Sequence, residues 1–249
     1  MDTKKEIEVL VGFIKDQVIN VGKTGCVVGV SGGVDSAVTV LLCKIAFPNS
    51  TYGISMPGNV KYTYQEDEKT SDSTQRALTL CCDHKIPLFR ENVHFDIDGS
   101  SLNPVNKYTK GNYLARKRMA ILYYYAECLN SFVVGTDNKC ESFIGYFTKY
   151  GDGGVDINPL GEYLKSEVYE LGKELGVTKA IMTCSPSAEL YENQTDEEEL
   201  GFSYKHLENF ITNPEAYKGF PEEVAVRIRE MHAITEHKRN LPPVCMRLA

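Results

Sequence analysis

Apolar residues recur at Ile7, Leu10, Val11, Ile14 and Val18, a spacing of threes and fours that predicts an amphipathic opening helix. Thr3 followed by Glu6 has the spacing of a capping box and sets its start. Cys26 to Val30 is a short, almost wholly apolar run, and after Ser31-Gly32-Gly33 the apolar positions Ala37, Val38, Leu41, Leu42 and Ile45 return at helical period. That order reads as buried strand, tight turn and helix. Further short runs at Thr51 to Met56, Ile86 to Phe89 and Ser131 to Val134 alternate with helical segments near Ser71 to Cys82 and Arg116 to Leu129. The alternation predicts an α/β fold with a doubly wound, mostly parallel sheet flanked by helices.

Beyond Val134 the pattern changes. A Gly-rich stretch lies at Gly151 to Gly154, a helical pattern at Leu164 to Leu175, and an acidic run at Glu192 to Glu199. The acidic run reads most simply as a solvated helix start, since carboxylates are favoured in a first turn; a lid over a ligand is the other reading. Gln65 to Lys69 is polar enough for a loop. There is no internal repeat and no low-complexity linker, and a length of 249 residues suits one domain over 1–249.

Composition removes several classes of function. A formal net charge of −7 opposes general binding to nucleic acid. No stretch approaches the roughly 20 apolar residues of a membrane span. Met1 to Glu8 is charged and lacks the apolar run of a secretory signal, so a cytoplasmic location is expected. The 8 cysteines form no CxxC pair, which predicts free thiols and no zinc site.

The chemistry concentrates at Ser31-Gly32-Gly33-Val34-Asp35-Ser36, where the buried strand turns into a helix. Two glycines let backbone N–H groups approach phosphate oxygens, the helix start adds unsatisfied donors, and Ser31 and Ser36 can supply hydroxyls. Asp35 would repel polyphosphate unless a divalent ion lay between them, which favours a magnesium ligand; a helix cap is the plainer alternative. Gly22-Lys23-Thr24 resembles the end of a Walker A loop, but it precedes the strand, and Gln17 stands where the earlier glycine should be. It reads as a helix-to-strand turn.

The hexapeptide resembles the SGGxDS loop of the ATP pyrophosphatases, which activate substrates as adenylates, within an adenine nucleotide alpha hydrolase-like fold. Three later segments are similar to ammonia-dependent NAD synthetase in particular. These are Gly111-Asn112 with Ala115-Arg116-Lys117-Arg118-Met119, the region from Val134 to Glu141 and on from Gly145 to Asp156, and His237-Lys238-Arg239. The resemblance spans about residues 25 to 240.

That resemblance implies amidation of deamido-NAD by ammonia through an acyl-adenylate, with ATP as co-substrate and Mg2+ as cofactor. It implies ATP contacts at Gly29, Val30, Ser31, Gly32, Gly33, Val34, Asp35, Ser36, Thr136, Lys165 and Ser187, the last where the family usually has threonine. It implies a magnesium pair in Asp35 and Glu141, and deamido-NAD contacts at Arg116, Lys149, Asp156, His237 and Lys238. Lys165 would stabilise departing pyrophosphate. Asp152, in the Gly-rich turn beside Lys149, is the candidate to receive ammonium and accept its proton. A homodimer binding deamido-NAD across its interface is also implied; the opening helix and the helix after Arg116 are candidate contacts, and filling the monomer core is the other use of their apolar faces.

Two features qualify the match. Ser55 or Met56 stands where many members carry a nucleotide-contacting arginine, and the register of Gln75 is uncertain. About 25 residues before the glycine loop are too few for a glutamine-hydrolysing domain, so free or delivered ammonia is the expected nitrogen source. Another adenylating ATP pyrophosphatase, or a non-catalytic nucleotide sensor on the same fold, are the competing readings; an acidic chain without CxxC disfavours the first, and retention of Asp35 and Glu141 the second.

Overall fold

The computed structural model describes residues 1–58, 72–97, 106–184, 196–213 and 221–247. The first half of the chain runs α1 (Thr3–Asn20), β1 (Gly25–Gly29), α2 (Val34–Ala46), β2 (Thr51–Ser55), α3 (Asp72–Asp83), β3 (Leu88–Arg90), α4 (Lys107–Cys128) and β4 (Ser131–Val133). The four strands pair in parallel in the order β3-β2-β1-β4. β1 reads as an unbroken apolar run because both faces of a parallel sheet are covered. Successive side chains point to opposite sides. Val27 packs with Ile54, Ala126 and Val133 against α4, while Cys26 and Val28 join the larger core with α1, α2 and α3.

Boundaries move where polar residues carry the decision. α1 is capped by Asp2, which accepts from the Lys5 N–H at 3.4 Å, one residue before the expected Thr3. α4 begins at Lys107, not Arg116, with Asn106 accepting from the Thr109 N–H at 2.9 Å. Its first residues are exposed and show no apolar period, so only the cap marks the start. Gly22-Lys23-Thr24 is the expected turn between α1 and β1, with Gly22 at φ +76°.

The remaining helices are α5 (Lys139–Ile144), α6 (Lys165–Glu174), α7 (Lys179–Met182), α8 (Asp196–Leu200), α9 (Tyr204–Thr212), α10 (Glu222–Ile234) and α11 (Glu236–Arg239). α6 docks on the main core through Val168 and Leu171. A second cluster gathers Cys140 and Ile144 of α5 with Leu200, Leu207, Phe210, Ala225 and Ile228. No described helix is long and apolar enough to cross a membrane.

The chain steps from β1 outward to β2 and β3, then returns to place β4 on the other side of β1. Between β1 and β4 the strand order reverses, and open α/β sheets bind ligands beyond the carboxyl ends of strands at such a switch. The glycine loop leaves β1 at this point and Thr136 follows β4 beside it.

α3 closes the loop from the side. Gly32 has φ +88°, and a Cβ there would lie 2.2 Å from the Ser73 carbonyl oxygen. Arg76, one turn along α3, donates from Nε to the Gly32 carbonyl at 3.0 Å. Gly32→Ala is therefore expected to cost about 2 kcal/mol, from backbone strain and the displaced helix. Urea unfolding should show a lower midpoint with an unchanged slope; an unaltered midpoint would rule out the close approach.

Candidate active site

The loop is shaped by its own hydroxyls. The Ser31 N–H donates to Ser36 Oγ at 3.2 Å, Ser36 Oγ donates to the Gly33 carbonyl at 3.1 Å, and the Gly33 N–H donates to Ser31 Oγ at 3.2 Å. The two serines sequence reasoning assigned to an anion thus also hold the turn. Gly33 is the N-cap of α2 and supplies no side-chain cap, leaving the helix's first N–H groups and its positive end directed at the site. Val30 and Val34 are buried in the core, so their part in the loop belongs to the backbone. Gly29 ends β1 beneath them.

Asp35 and Glu141, 106 positions apart in the chain, meet at one nitrogen. Lys165 Nζ lies 2.6 Å from Asp35 Oδ2 and 3.1 Å from Glu141 Oε1, with the lysine only 4% exposed. Each partner arrives from a different helix start: Asp35 in the first turn of α2, Glu141 in that of α5, and Lys165 as the first residue of α6. Asn138 completes the set. Its side-chain amide donates to Asp35 Oδ1 at 2.9 Å, while its Oδ1 accepts from the Glu141 N–H at 3.1 Å and Glu141 Oε2 accepts from the Asn138 N–H at 3.2 Å. This reciprocal capping box fixes the Glu141 side chain before any ligand arrives.

Burial would lower the Lys165 pKa, but the two carboxylates more than offset it and the ammonium is held above its ordinary value. Glu141 is pushed up to about 7 by burial, with the lysine opposing and Asp35 adding to the rise. Asp137, half-buried beside this group, is also raised, by burial first and then by Asp152, Glu141 and Asp35.

The described part of the acidic run is divided: Glu197 and Glu198 are exposed in the first turn of α8, as a solvated helix start would have them, whereas Asp196 is buried. Asp196 is 4% exposed, and the Tyr204 hydroxyl donates to its Oδ2 at 2.9 Å. Glu197 accepts from the Tyr204 N–H at 2.9 Å, and Glu199 accepts from the Tyr146 hydroxyl at 2.9 Å. Asp196 and Glu199 are drawn inward because α8 packs across α9 and α5, whose donors would otherwise be unsatisfied. Ser187, Gln65 to Lys69 and the start of the acidic run lie outside the described residues.

A basic group forms at the far end of α5. Arg116 Nε donates to the Lys149 carbonyl at 3.3 Å, and the Lys149 ammonium donates to the His237 carbonyl. Lys238 Nζ donates to the carbonyls of Gly145 at 2.7 Å and Phe147 at 2.6 Å. Arg239 donates to the Phe143 carbonyl at 2.9 Å, and Thr235 Oγ1 to that of Ile144 at 3.0 Å. The cations of the C-terminal segment therefore cap the negative end of α5. Burial lowers the Lys238 pKa, with Asp152 opposing.

Asp152 is exposed on its outer side and accepts from the Thr148 N–H at 2.9 Å. Crowding by surrounding atoms raises its pKa against the pull of that N–H. Asp156 holds the sheet edge: its Oδ2 accepts from the Val133 N–H at 2.8 Å and its Oδ1 from the Tyr123 hydroxyl at 3.0 Å. A cavity of about 230 Å³ opens between Phe147, Lys149, Tyr150, Lys238 and Leu241.

The NAD synthase family matches residues 6–242, a span that holds the loop, the Lys165 pair and the basic group. The chain belongs to this family. The NH(3)-dependent NAD(+) synthetase of Alkaliphilus metalliredigens is 38% identical, over 98% of this chain and 99% of its own. The NMN synthetase of Francisella tularensis superposes with a TM-score of 0.86 at 34% identity, over 98% of this chain and 99% of that one. The NH3-dependent NAD synthetase of Campylobacter jejuni gives 0.78 at 28% identity, over 99% and 100%.

Within this NAD synthase site, Asn138, Asp196 and Tyr204 escaped sequence reasoning. The Asn138 and Glu141 spacing was a readable capping signal; nothing local marked Asp196 or Tyr204, whose partners lie on other helices. No cluster of three or more potential metal-binding side chains occurs among the described residues. The Asp35 and Glu141 pair nonetheless has the donor chemistry magnesium takes from proteins, one or two carboxylates completed by substrate phosphates.

Lys165→Met would strand two half-buried carboxylates. A loss of about 3 kcal/mol in unfolding free energy is expected. Glu141 has a folded pKa above its unfolded value, so its contribution is present at low pH and lost as pH rises through about 7. The deficit should therefore be smaller well below pH 7 than above it, and urea titrations showing no deficit would refute the pairing.

Proposed function

We propose that the chain is an ammonia-dependent ligase that adenylates the nicotinate carboxylate of deamido-NAD with ATP and replaces AMP with ammonia, giving NAD. The observation that carries this reading is the convergence of Asp35, Glu141 and Lys165 beside a glycine loop at the sheet's switch point. The loop N–H groups and the start of α2 receive the triphosphate. Lys165 exchanges its carboxylate partners for phosphate oxygens and balances charge on departing pyrophosphate, leaving the α-phosphorus open to the substrate carboxylate. Thr136, and by resemblance Ser187, add nucleotide contacts.

Asp35 and Glu141 would hold Mg2+, which when bound supplies charge neutralisation and polarises phosphoryl oxygens. In the second half-reaction ammonia attacks the acyl carbon and AMP leaves with the bonding electrons. Ammonium is the main form in neutral water and must first lose a proton; Asp152, which feels the charge of Lys238, is the group this reading assigns to accept it. In this reading Arg116, Lys149, His237 and Lys238 contact the pyridine nucleotide, and Asp156 accepts from a ribose hydroxyl.

The reading includes one ligase unit over residues 1–249, a homodimer binding substrate across its interface, and work in the cytosol. Near full-length similarity to ammonia-dependent relatives supports the first. The likeness to an NMN synthetase favours a second reading, in which the mononucleotide with a free nicotinate carboxylate is the substrate.

Pyrophosphate release should require ATP, Mg2+ and one of these two nucleotides, and comparison of kcat/KM decides between them. Absence of release with both would end the reading, and stimulation by RNA would transfer it to another adenylating class. Asp152→Asn keeps an oxygen for the Thr148 N–H but cannot take a proton. It is expected to slow amide formation at least tenfold more than adenylation, within the usual range for a general base; equal losses would remove Asp152 from that role.

A further inference from the structure

Glu141 is held at both oxygens, and one of its holders must be given up during turnover. Oε2 is tied to the Asn138 N–H, whereas Oε1 meets both Lys165 Nζ at 3.1 Å and the Tyr204 hydroxyl at 3.2 Å. If Lys165 moves to phosphate oxygens, as the proposed reaction requires, Tyr204 is the remaining side chain on Oε1 among these contacts. Its hydroxyl is in turn 2.9 Å from Asp196 Oδ2, and both residues are buried, at 7% and 4% exposure. The face of the same ring lies 5.0 Å from Lys165 Nζ, within the distance at which a ring attracts an ammonium.

One phenol therefore touches both halves of the Glu141 and Lys165 pair. A single hydroxyl proton serves one acceptor at a time, so Tyr204 can shift its donation between Asp196 and Glu141 as the ammonium arrives and leaves. Its own position does not depend on that choice. Tyr204 opens α9, its N–H is held by Glu197, and Ser203 caps the helix by accepting from the His206 N–H at 3.3 Å.

We propose that Tyr204, anchored by Asp196, is a positioning residue that keeps Glu141 oriented while Lys165 moves between its carboxylates and the phosphates of ATP. The inference rests on the ligase reading given above. It assigns the buried part of the acidic run a role in the adenylating step, distinct from binding the pyridine nucleotide.

The test compares the wild-type chain with Tyr204→Phe, Asp196→Asn and the double variant. Tyr204→Phe keeps the ring and its attraction for Lys165 while removing the hydroxyl. For each protein, kcat and KM are measured for ATP and for the preferred pyridine nucleotide, with ATP binding by calorimetry and unfolding in urea. Residues that orient a first ligand typically change activity by about 10- to 100-fold. Each single variant should lose about tenfold in kcat, keep the pyridine-nucleotide KM within about twofold, and bind ATP with little change. The double variant should be no slower than either single, because both act through one hydrogen-bonded chain.

A kcat for Tyr204→Phe within twofold of wild type would overturn the proposal. So would losses that multiply in the double variant, or a fall in rate that only tracks the fraction of unfolded protein. If the wild-type chain turns over neither pyridine nucleotide, the functional reading falls and this inference falls with it. If the wild type is active and Tyr204→Phe equals it, the inference alone is lost.

Discussion

The Lys165 ammonium is the point on which three helix starts converge, and it sits where water has little access. Two carboxylates facing each other in such a place repel, and each would be costly to ionise alone. The lysine resolves both difficulties in the free chain. In the proposed reaction the same ammonium is released to phosphate, so the site is prepared by an ion pair that its substrate must open. Any arrangement of the surrounding helices has to tolerate both conditions.

α5 transmits that requirement. A helix of six residues has too few internal hydrogen bonds to persist alone, and at about 1.5 Å per residue it is only about 9 Å long. Its first turn is closed by the Asn138 and Glu141 box, and its last carbonyls by Thr235, Lys238 and Arg239. The Lys165 group and the basic group are thus at opposite ends of one short rod. Gly145, at φ +64° with a Cβ position 2.3 Å from Thr235, lets the C-terminal segment come close enough to make that closure. Lys238, expected only as a substrate contact, holds this helix end in the chain itself.

The second small core explains the acidic run. Burial of Ile144, Leu200, Leu207 and Ile228 brings α8 and α9 against α5, and Asp196 and Glu199 then meet tyrosine hydroxyls, while Glu197 stays exposed and accepts from the Tyr204 N–H. A local count of charges sees four carboxylates at a helix start and assigns them to solvent. That holds for Glu197 and Glu198; the packing of distant apolar residues overrides it for Asp196 and, in part, Glu199.

The alternating strands and helices, the glycine turn after β1 and the candidate pair Asp35 and Glu141 were all legible in the sequence. They depend on local periodicity, on backbone conformations open to glycine, and on motifs contiguous along the chain. The start of α4 was misplaced because exposed polar residues carry no period, and the cap of α1 by one residue because Asp2 and Thr3 are both competent caps. Asp196 and Tyr204 were invisible for a deeper reason. Their importance lies in hydrogen bonds from Tyr204 to Glu141, 63 positions away, and to Asp196 on the neighbouring helix, and only the folded core decides which polar groups lose water and must find one another.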